Sequence, residues 1–291
     1  MTAIKAFVRR RPVMAYFAMT FVISWGGVLI LGAPYGMPTT REQFEAVYPM
    51  VFLPYLLGPL ASSLVLTGVI EGKAGYRALL ARLLRWRVAA GWYAVALLTA
   101  PLLAMAILLA LSLISPAFLP GIFTTDDPLA LVLTGIAVGL FGGGLMEEPG
   151  WTGFAVPRLR RRYGVFATGV ILGVVWGVWH FLPTYWGSGD SSGALSLSLL
   201  LPPLFFYAAV LPAYRVLMVW VYERTESLLV AILMHASLTA STLFVLAPAV
   251  EGVFLFLYYL VLAAVLWGIV RAVVMATGRQ VPEQAPRRRV D

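Results

Sequence analysis

Four residues of this chain have the types and setting for hydrolytic chemistry: the adjacent acids Glu147 and Glu148, and the histidines His180 and His235. Residues 129–146, just before the acids, carry no charge at all. A carboxylate at membrane depth costs about 2.5–3.5 kcal/mol on insertion scales, and two side by side repel. A chain that keeps such a pair uses it. The 2 histidines of the chain lie in two further apolar segments, ending Val170-Ile-Leu-Gly-Val-Val-Trp-Gly-Val-Trp-His180 and Leu228-Leu-Val-Ala-Ile-Leu-Met-His235. The expectation is that three separate segments bring these four side chains to one polar site inside the membrane. A Glu beside two neutral imidazoles can activate water: the carboxylate takes the proton, and a histidine orients the water or later protonates. Glu147, His180 and His235 could equally ligate Zn2+ or another divalent metal, with water in the open position. The H-E-x-x-H signature is absent, so any metal site is assembled across helices. Metal-dependent and metal-independent chemistry both stay open on these residues.

Spacing adds further candidates. Trp176 precedes His180 by four residues, Thr239 follows His235 by four, and Thr152 follows Glu148 by four, so each pair shares a helix face. Thr239 could donate a hydrogen bond to a developing oxyanion. Trp151, Trp176 and Trp179 read as packing residues. No cysteine is present, so thiol chemistry is out. Gly189-Asp190-Ser191-Ser192-Gly193 matches G-x-S-x-G, but it falls in a Gly/Ser-rich loop without the strand-turn-helix context of a nucleophile elbow.

The elements that must position these residues are membrane helices. The chain of 291 residues is 61% hydrophobic and 12% charged, with mean hydropathy +0.88; soluble domains are about 25% charged. The apolar runs are continuous rather than alternating, which argues against an outer-membrane barrel. Eight spans are expected: Pro12–Gly32, Tyr48–Ile70, Trp92–Ile114, Pro128 to about Met146 with the helix running on toward Leu159, Val165–Pro183, Leu195–Val221, Ser227–Leu246 and Phe254–Val274. Between the second and third, apolar residues at 76, 79, 80, 83 and 84 oppose basic ones, the pattern of a helix in the membrane interface. The fold class is therefore all-α, a polytopic membrane bundle of about eight transmembrane helices. It forms one domain over residues 1–276, with a motif-bearing core at about 127–246 and a polar, basic, disordered tail at 277–291.

The net charge of +8 is not a nucleic-acid signal. With the N-terminus inside, all but one of the 21 Lys and Arg residues fall in inside segments, Arg41 being the exception. In that count Arg215 and Arg224 serve only as topology signals. The split places both termini in the cytoplasm. By counting along the spans, Glu147 and Glu148 lie toward the cytoplasmic end of the fourth and His180 toward the opposite end of the fifth.

Three motifs now resemble a known family. Glu147-Glu148-Pro-Gly-Trp-Thr152-Gly-Phe-Ala-Val-Pro-Arg-Leu159 looks like the first motif of the CPBP intramembrane proteases, the CAAX-protease and bacteriocin-processing (Abi) family: an acid pair, three residues, then an arginine. Trp176-Gly-Val-Trp-His180-Phe-Leu-Pro183 is similar to the second, an aromatic four residues before a histidine. Arg224 through His235-Ala-Ser-Leu-Thr239 is similar to the third, a histidine with asparagine four later. Thr152 stands where that pattern has arginine, and Thr239 where it has asparagine. The resemblance implies that Glu147 activates water beside Glu148, that His180 holds the water, and that His235 with Thr239 stabilises the oxyanion. It implies an intramembrane endopeptidase of the plasma membrane, acting on a peptide or protein substrate within the lipid bilayer. Two other classes remain: a proton-coupled transporter, and a non-catalytic membrane-binding or immunity protein of the same fold.

Overall fold

A computed structural model describes residues 3–278 of the chain. Eight helices in it are long and apolar enough to cross a membrane: α1 (Pro12–Tyr35), α2 (Arg41–Leu83), α3 (Ala90–Ser112), α4 (Pro128–Leu159), α5 (Val165–Trp186), α6 (Leu197–Thr225), α7 (Leu228–Val245) and α8 (Gly252–Ala276). The only β feature among the described residues is an isolated bridge, Gly189 with Leu195. In a bilayer only helices and closed barrels satisfy every backbone amide internally, so apolar runs of this length become helices. Their starts carry the usual local signals. Pro128 sits in the first turn of α4 behind Asp127, which accepts from the Ala130 amide at 3.0 Å, and Ser227 accepts from the Val230 amide at the start of α7. The tail expected at 277–291 lies, beyond Gly278, outside the described residues.

One span runs well past its expected end. α2 continues past Ile70 to a corner at Gly72, whose φ of +62° suits a residue without Cβ. The chain then folds back on itself: the Tyr76 hydroxyl donates to the Leu64 carbonyl at 2.8 Å. Twelve residues of straight helix would separate them by ~18 Å. The returning segment is tied beneath the ends of α6 and α7. Leu79 packs on Leu228 and Ile232, Arg82 donates to the Tyr222 hydroxyl at 3.1 Å, and Arg85 pairs with Glu226 at 2.7 Å. Leu80, Leu84 and Trp86 stay exposed. The amphipathic segment is thus both a strap across the bundle and an apolar outer face.

The eight-span expectation requires particular segments to share an end, and they do. Arg9, Arg10 and Arg11 line one recess with Arg158, Arg161 and Arg162. Arg41 meets Glu251 at 3.6 Å at the other end. The Gly189–Gly193 loop is a local turn: the Asp190 carboxylate accepts from the amides of Ser192 and Ala194 and from the Ser192 hydroxyl. Those bonds hold its carboxyl below the usual range, and the Ser192 hydroxyl is spent on Asp190, with no hydrogen bond to a histidine among the described residues.

Packing of α5 on α6 decides the layout of the interior. A Cβ on Gly169, Gly173 or Gly177 would come within 2.3–2.5 Å of Val216, Pro212 or Tyr207 backbone atoms. This four-residue stripe of glycines lets the two helices touch backbone to backbone. It seats Arg215 and Tyr207 of α6 beside Trp176 and His180 of α5.

Candidate active site

The two acids owe their positions to a widened helix. Pro149 has no amide proton, and its ring collides with the carbonyl four residues back. Gly142 to Gly144 offer no side chains to hold the regular spiral. α4 answers with π-helical turns at Val138–Leu145 and Trp151–Ala155, on either side of Met146–Gly150. Such turns are rare and recur at functional sites. The helix stays continuous to Leu159, so the acids lie deep in its length and not at its end. Counted from Leu159, Glu147 is ~18 Å along α4, and His180 is ~22 Å along α5 from Val165. The apparent mismatch in depth between the fourth and fifth spans disappears once α4 is given its full length.

Glu147 and Glu148 are both buried, at 3% and 0% exposure, yet they meet different partners. Glu147 Oε2 accepts from the indole N–H of Trp151 at 3.0 Å and of Trp176 at 2.7 Å. Its Oε1 accepts none among the described residues and lies 3.9 Å from His235 Nε2. Glu148 faces the opposite way. Both its oxygens take Arg215 Nη1, at 3.0 and 2.9 Å, and the Thr152 hydroxyl donates to Oε2. His235 Nδ1 lies 2.7 Å from Glu148 Oε1, so Nδ1 carries the proton and Nε2 points toward Glu147.

His180 is set in the same manner. Its Nδ1 is 2.9 Å from the Trp176 carbonyl, which only accepts, so the proton is on Nδ1 and the Nε2 lone pair is free. Tyr207 stacks on the ring at 4.7 Å and 16°. The Thr239 hydroxyl has no hydrogen-bond partner among the described residues. Glu147, His180, His235 and Thr239 line one cavity of about 310 Å³, with Tyr48, Phe52, Tyr55, Phe206 and Leu243 among its apolar and aromatic walls. A second recess of about 250 Å³ shares Tyr48, Tyr55, His180 and Tyr207 with it and reaches Thr184 and Ser188.

The structure thus brings together all five candidate residues. Four line the cavity, and Glu148 stands behind His235. Three features went unread in the sequence. Trp151 and Trp176 are hydrogen-bond donors to Glu147, not packing alone. Tyr207 is the platform for His180. Arg215 does more than signal topology: it is fully buried against Glu148. A signal for it existed, since it is the one charge in an otherwise apolar run from Leu195 to Val221.

The donor types suit a divalent ion, but their spacing does not. Among the described residues no three His, Asp or Glu side chains are gathered closely enough to hold one ion. One oxygen of Glu147 is also committed to two indoles. The chemistry derived below therefore uses the chain's own groups.

Gly143 makes the approach of α7 possible. A Cβ there would stand 2.8 Å from His235 Nε2 and 3.0 Å from Thr239 Oγ1. Gly143→Ala is expected to push both side chains out of line and slow turnover about 100-fold, as small misplacements do. The check is turnover beside the melting temperature in detergent, which should shift little.

Two comparisons bear on this geometry. The family described as "Type II CAAX prenyl endopeptidase Rce1-like" matches residues 128–241, the segment that carries all three motifs. A CAAX prenyl protease 2 of Methanococcus maripaludis is 24% identical over 233 residues, covering 76% of this chain and 80% of that protein. The resemblance carried by the three motifs therefore stands.

Proposed function

We propose that this multi-pass membrane protein, similar along most of its length to the CAAX prenyl endopeptidases, hydrolyses a peptide bond inside the membrane with water activated by Glu147. One observation carries the reading: an unbonded carboxylate oxygen, a free imidazole nitrogen, a second imidazole and an unbonded hydroxyl all face the same 310 Å³ cavity. Trp151 and Trp176 hold Oε2 of Glu147, which leaves Oε1 to take a proton from water. The His180 Nε2 lone pair accepts a hydrogen bond from the remaining O–H, which keeps its proton, and fixes the oxygen for attack. The new O–C bond forms as the carbonyl becomes an oxyanion. Thr239 O–H donates to that oxygen, and so does His235 Nε2–H when both ring nitrogens are protonated, with Glu148 balancing the charge. Glu147 then passes its proton to the leaving nitrogen as the C–N bond breaks.

The aromatic and aliphatic walls fit a substrate with hydrophobic side chains beside the scissile bond. The relative from Methanococcus maripaludis is named as a prenyl protease; nothing in the cavity requires a prenyl group here. We place the enzyme in the plasma membrane, with both termini cytoplasmic by the charge split. The test is a comparison of peptide N- and C-termini in cells with and without the protein. New termini flanked by hydrophobic residues are expected. Identical termini with the protein expressed and folded would overturn the reading in favour of transport or partner binding.

Two expectations test the parts. Thr239→Val removes one oxyanion donor and should lower kcat by about 10²–10³-fold with KM little changed. Thr239→Asn keeps a donor and should keep most of the rate. Chelation by 1,10-phenanthroline is expected to leave cleavage unchanged. Loss of cleavage that added Zn2+ restores would instead place an ion among Glu147, His180 and His235.

A further inference from the structure

Arg215 is the buried charge that the hydrolytic scheme does not use. It has no exposed surface, and its Nε and Nη2 have no hydrogen-bond partner among the described residues. Only Nη1 is engaged, on both oxygens of Glu148. A guanidinium in such a place is poorly explained by stability, because buried ion pairs are often matched or bettered by apolar residues of the same volume. What it touches gives a better explanation. Glu148, which it neutralises, sets the tautomer of His235. Its Cζ lies 4.0 Å over the ring of Trp176, the indole that donates to Glu147 at 2.7 Å and whose carbonyl holds His180. One side chain therefore stands behind both acids and both histidines.

We propose that Arg215 is the positioning residue of this site: its hydrogen bonds to both carboxylate oxygens hold Glu148 as the anchor of His235, and its stacking seats Trp176 against Glu147. The proposal rests on the hydrolytic reading of the cavity. It also accounts for Thr152. The Thr152 hydroxyl and Arg215 Nη1 meet at the same oxygen, Glu148 Oε2. A guanidinium from 152 would compete with Arg215 for that oxygen. An arginine reaching in from α6 makes a small hydrogen-bonding residue at 152 the matching choice on α4, at the position where the first motif is otherwise expected to carry arginine. The departure at 152 is then a relocated charge and not a lost one.

The experiment compares Arg215→Met, Arg215→Lys, Arg215→Ala and the double variant Arg215→Ala/Thr152→Arg in the full-length protein. Cleavage kinetics, melting temperature and ¹⁵N-histidine spectra are read together. The chain has only 2 histidines, so its imidazole signals can be assigned by single substitution. Arg215→Met should lower kcat about 100-fold with KM changed by less than about 3-fold, the mark of misplaced reacting groups. It should also turn the His235 signal from the Nδ1–H form to a tautomer mixture. Arg215→Lys keeps the charge without the planar fork and should retain part of the rate. The double variant should regain both the rate and the Nδ1–H signal. Should Arg215→Met not fold, Arg215→Lys and the double variant, which each keep a cation, still decide the matter. A folded Arg215→Met with unchanged kcat, or a folded double variant no faster than Arg215→Ala, would overturn the proposal. So would a His235 signal that no Arg215 variant alters. Wild-type protein that cuts nothing would sink the hydrolytic reading alone, since the histidine spectra report the positioning without turnover.

Discussion

Glu147→Gln is expected to abolish peptide-bond cleavage, by roughly 10³–10⁴-fold, while the protein folds as before. The amide keeps the shape of the side chain and one oxygen for the indoles of Trp151 and Trp176, which are 3.0 and 2.7 Å away. It cannot take a proton from water. Among the described residues no Lys or Arg is paired with Glu147, so removing its charge strands no fixed cation. Measured together, the termini that the wild type generates should vanish in the variant, and the melting temperature in detergent should stay within a few degrees. Persistent cleavage in a folded Glu147→Gln protein would rule out this residue as the base.

Glu148→Leu is expected to fail in the opposite order, first in stability and only then in activity. The change leaves Arg215 buried at 0% exposure without its partner, and an arginine cannot shed its proton to relieve this. Breaking one side of a buried pair costs about 3–5 kcal/mol, a large share of what holds a protein of this kind together. Low yield and a sharply lowered melting temperature should follow. Glu148→Leu/Arg215→Leu removes both charges and should recover the fold, since deleting both partners is far milder than deleting one. It should remain slow, because His235 has lost the acceptor of its Nδ1–H at 2.7 Å. If Glu148→Leu is as stable as wild type, the ion pair is not what the geometry indicates. Arg215→Met is gentler than Glu148→Leu, because the carboxyl left behind keeps the bond from Thr152 and can take up a proton.

The two neighbours in sequence thus hold different offices, one in chemistry and one in architecture. Their adjacency did not reveal this. Successive residues on a helix point about 100° apart, so two side chains of one type next to each other address different neighbours. Which neighbours they meet depends on how α5, α6 and α7 surround α4. The glycine stripe of α5 at 169, 173 and 177 decides part of that, and Gly143 another part. The three glycines at 142–144 lie in the π-helical turn of α4. Two of them, Gly143 and Gly144, also admit α7 close enough for His235 and Thr239 to reach the cavity, while Gly142 faces Phe52.

The eight membrane helices were legible in the residues alone, since length and apolar composition are local properties that a bilayer reads directly. The sequence also singled out Glu147, Glu148, His180, His235 and Thr239, because polar groups are costly in that solvent and a chain retains few of them. The fold-back at Gly72, the indole donors and the partner of Arg215 came from packing alone. Each depends on a partner far along the chain: Leu64 for Tyr76, Trp176 for Glu147, Glu148 for Arg215. Arg215 shows the physical reason most clearly. Beside a membrane span an arginine's charge reads as a topology signal, and only the helix packed against it shows whether that charge faces water or a buried carboxylate.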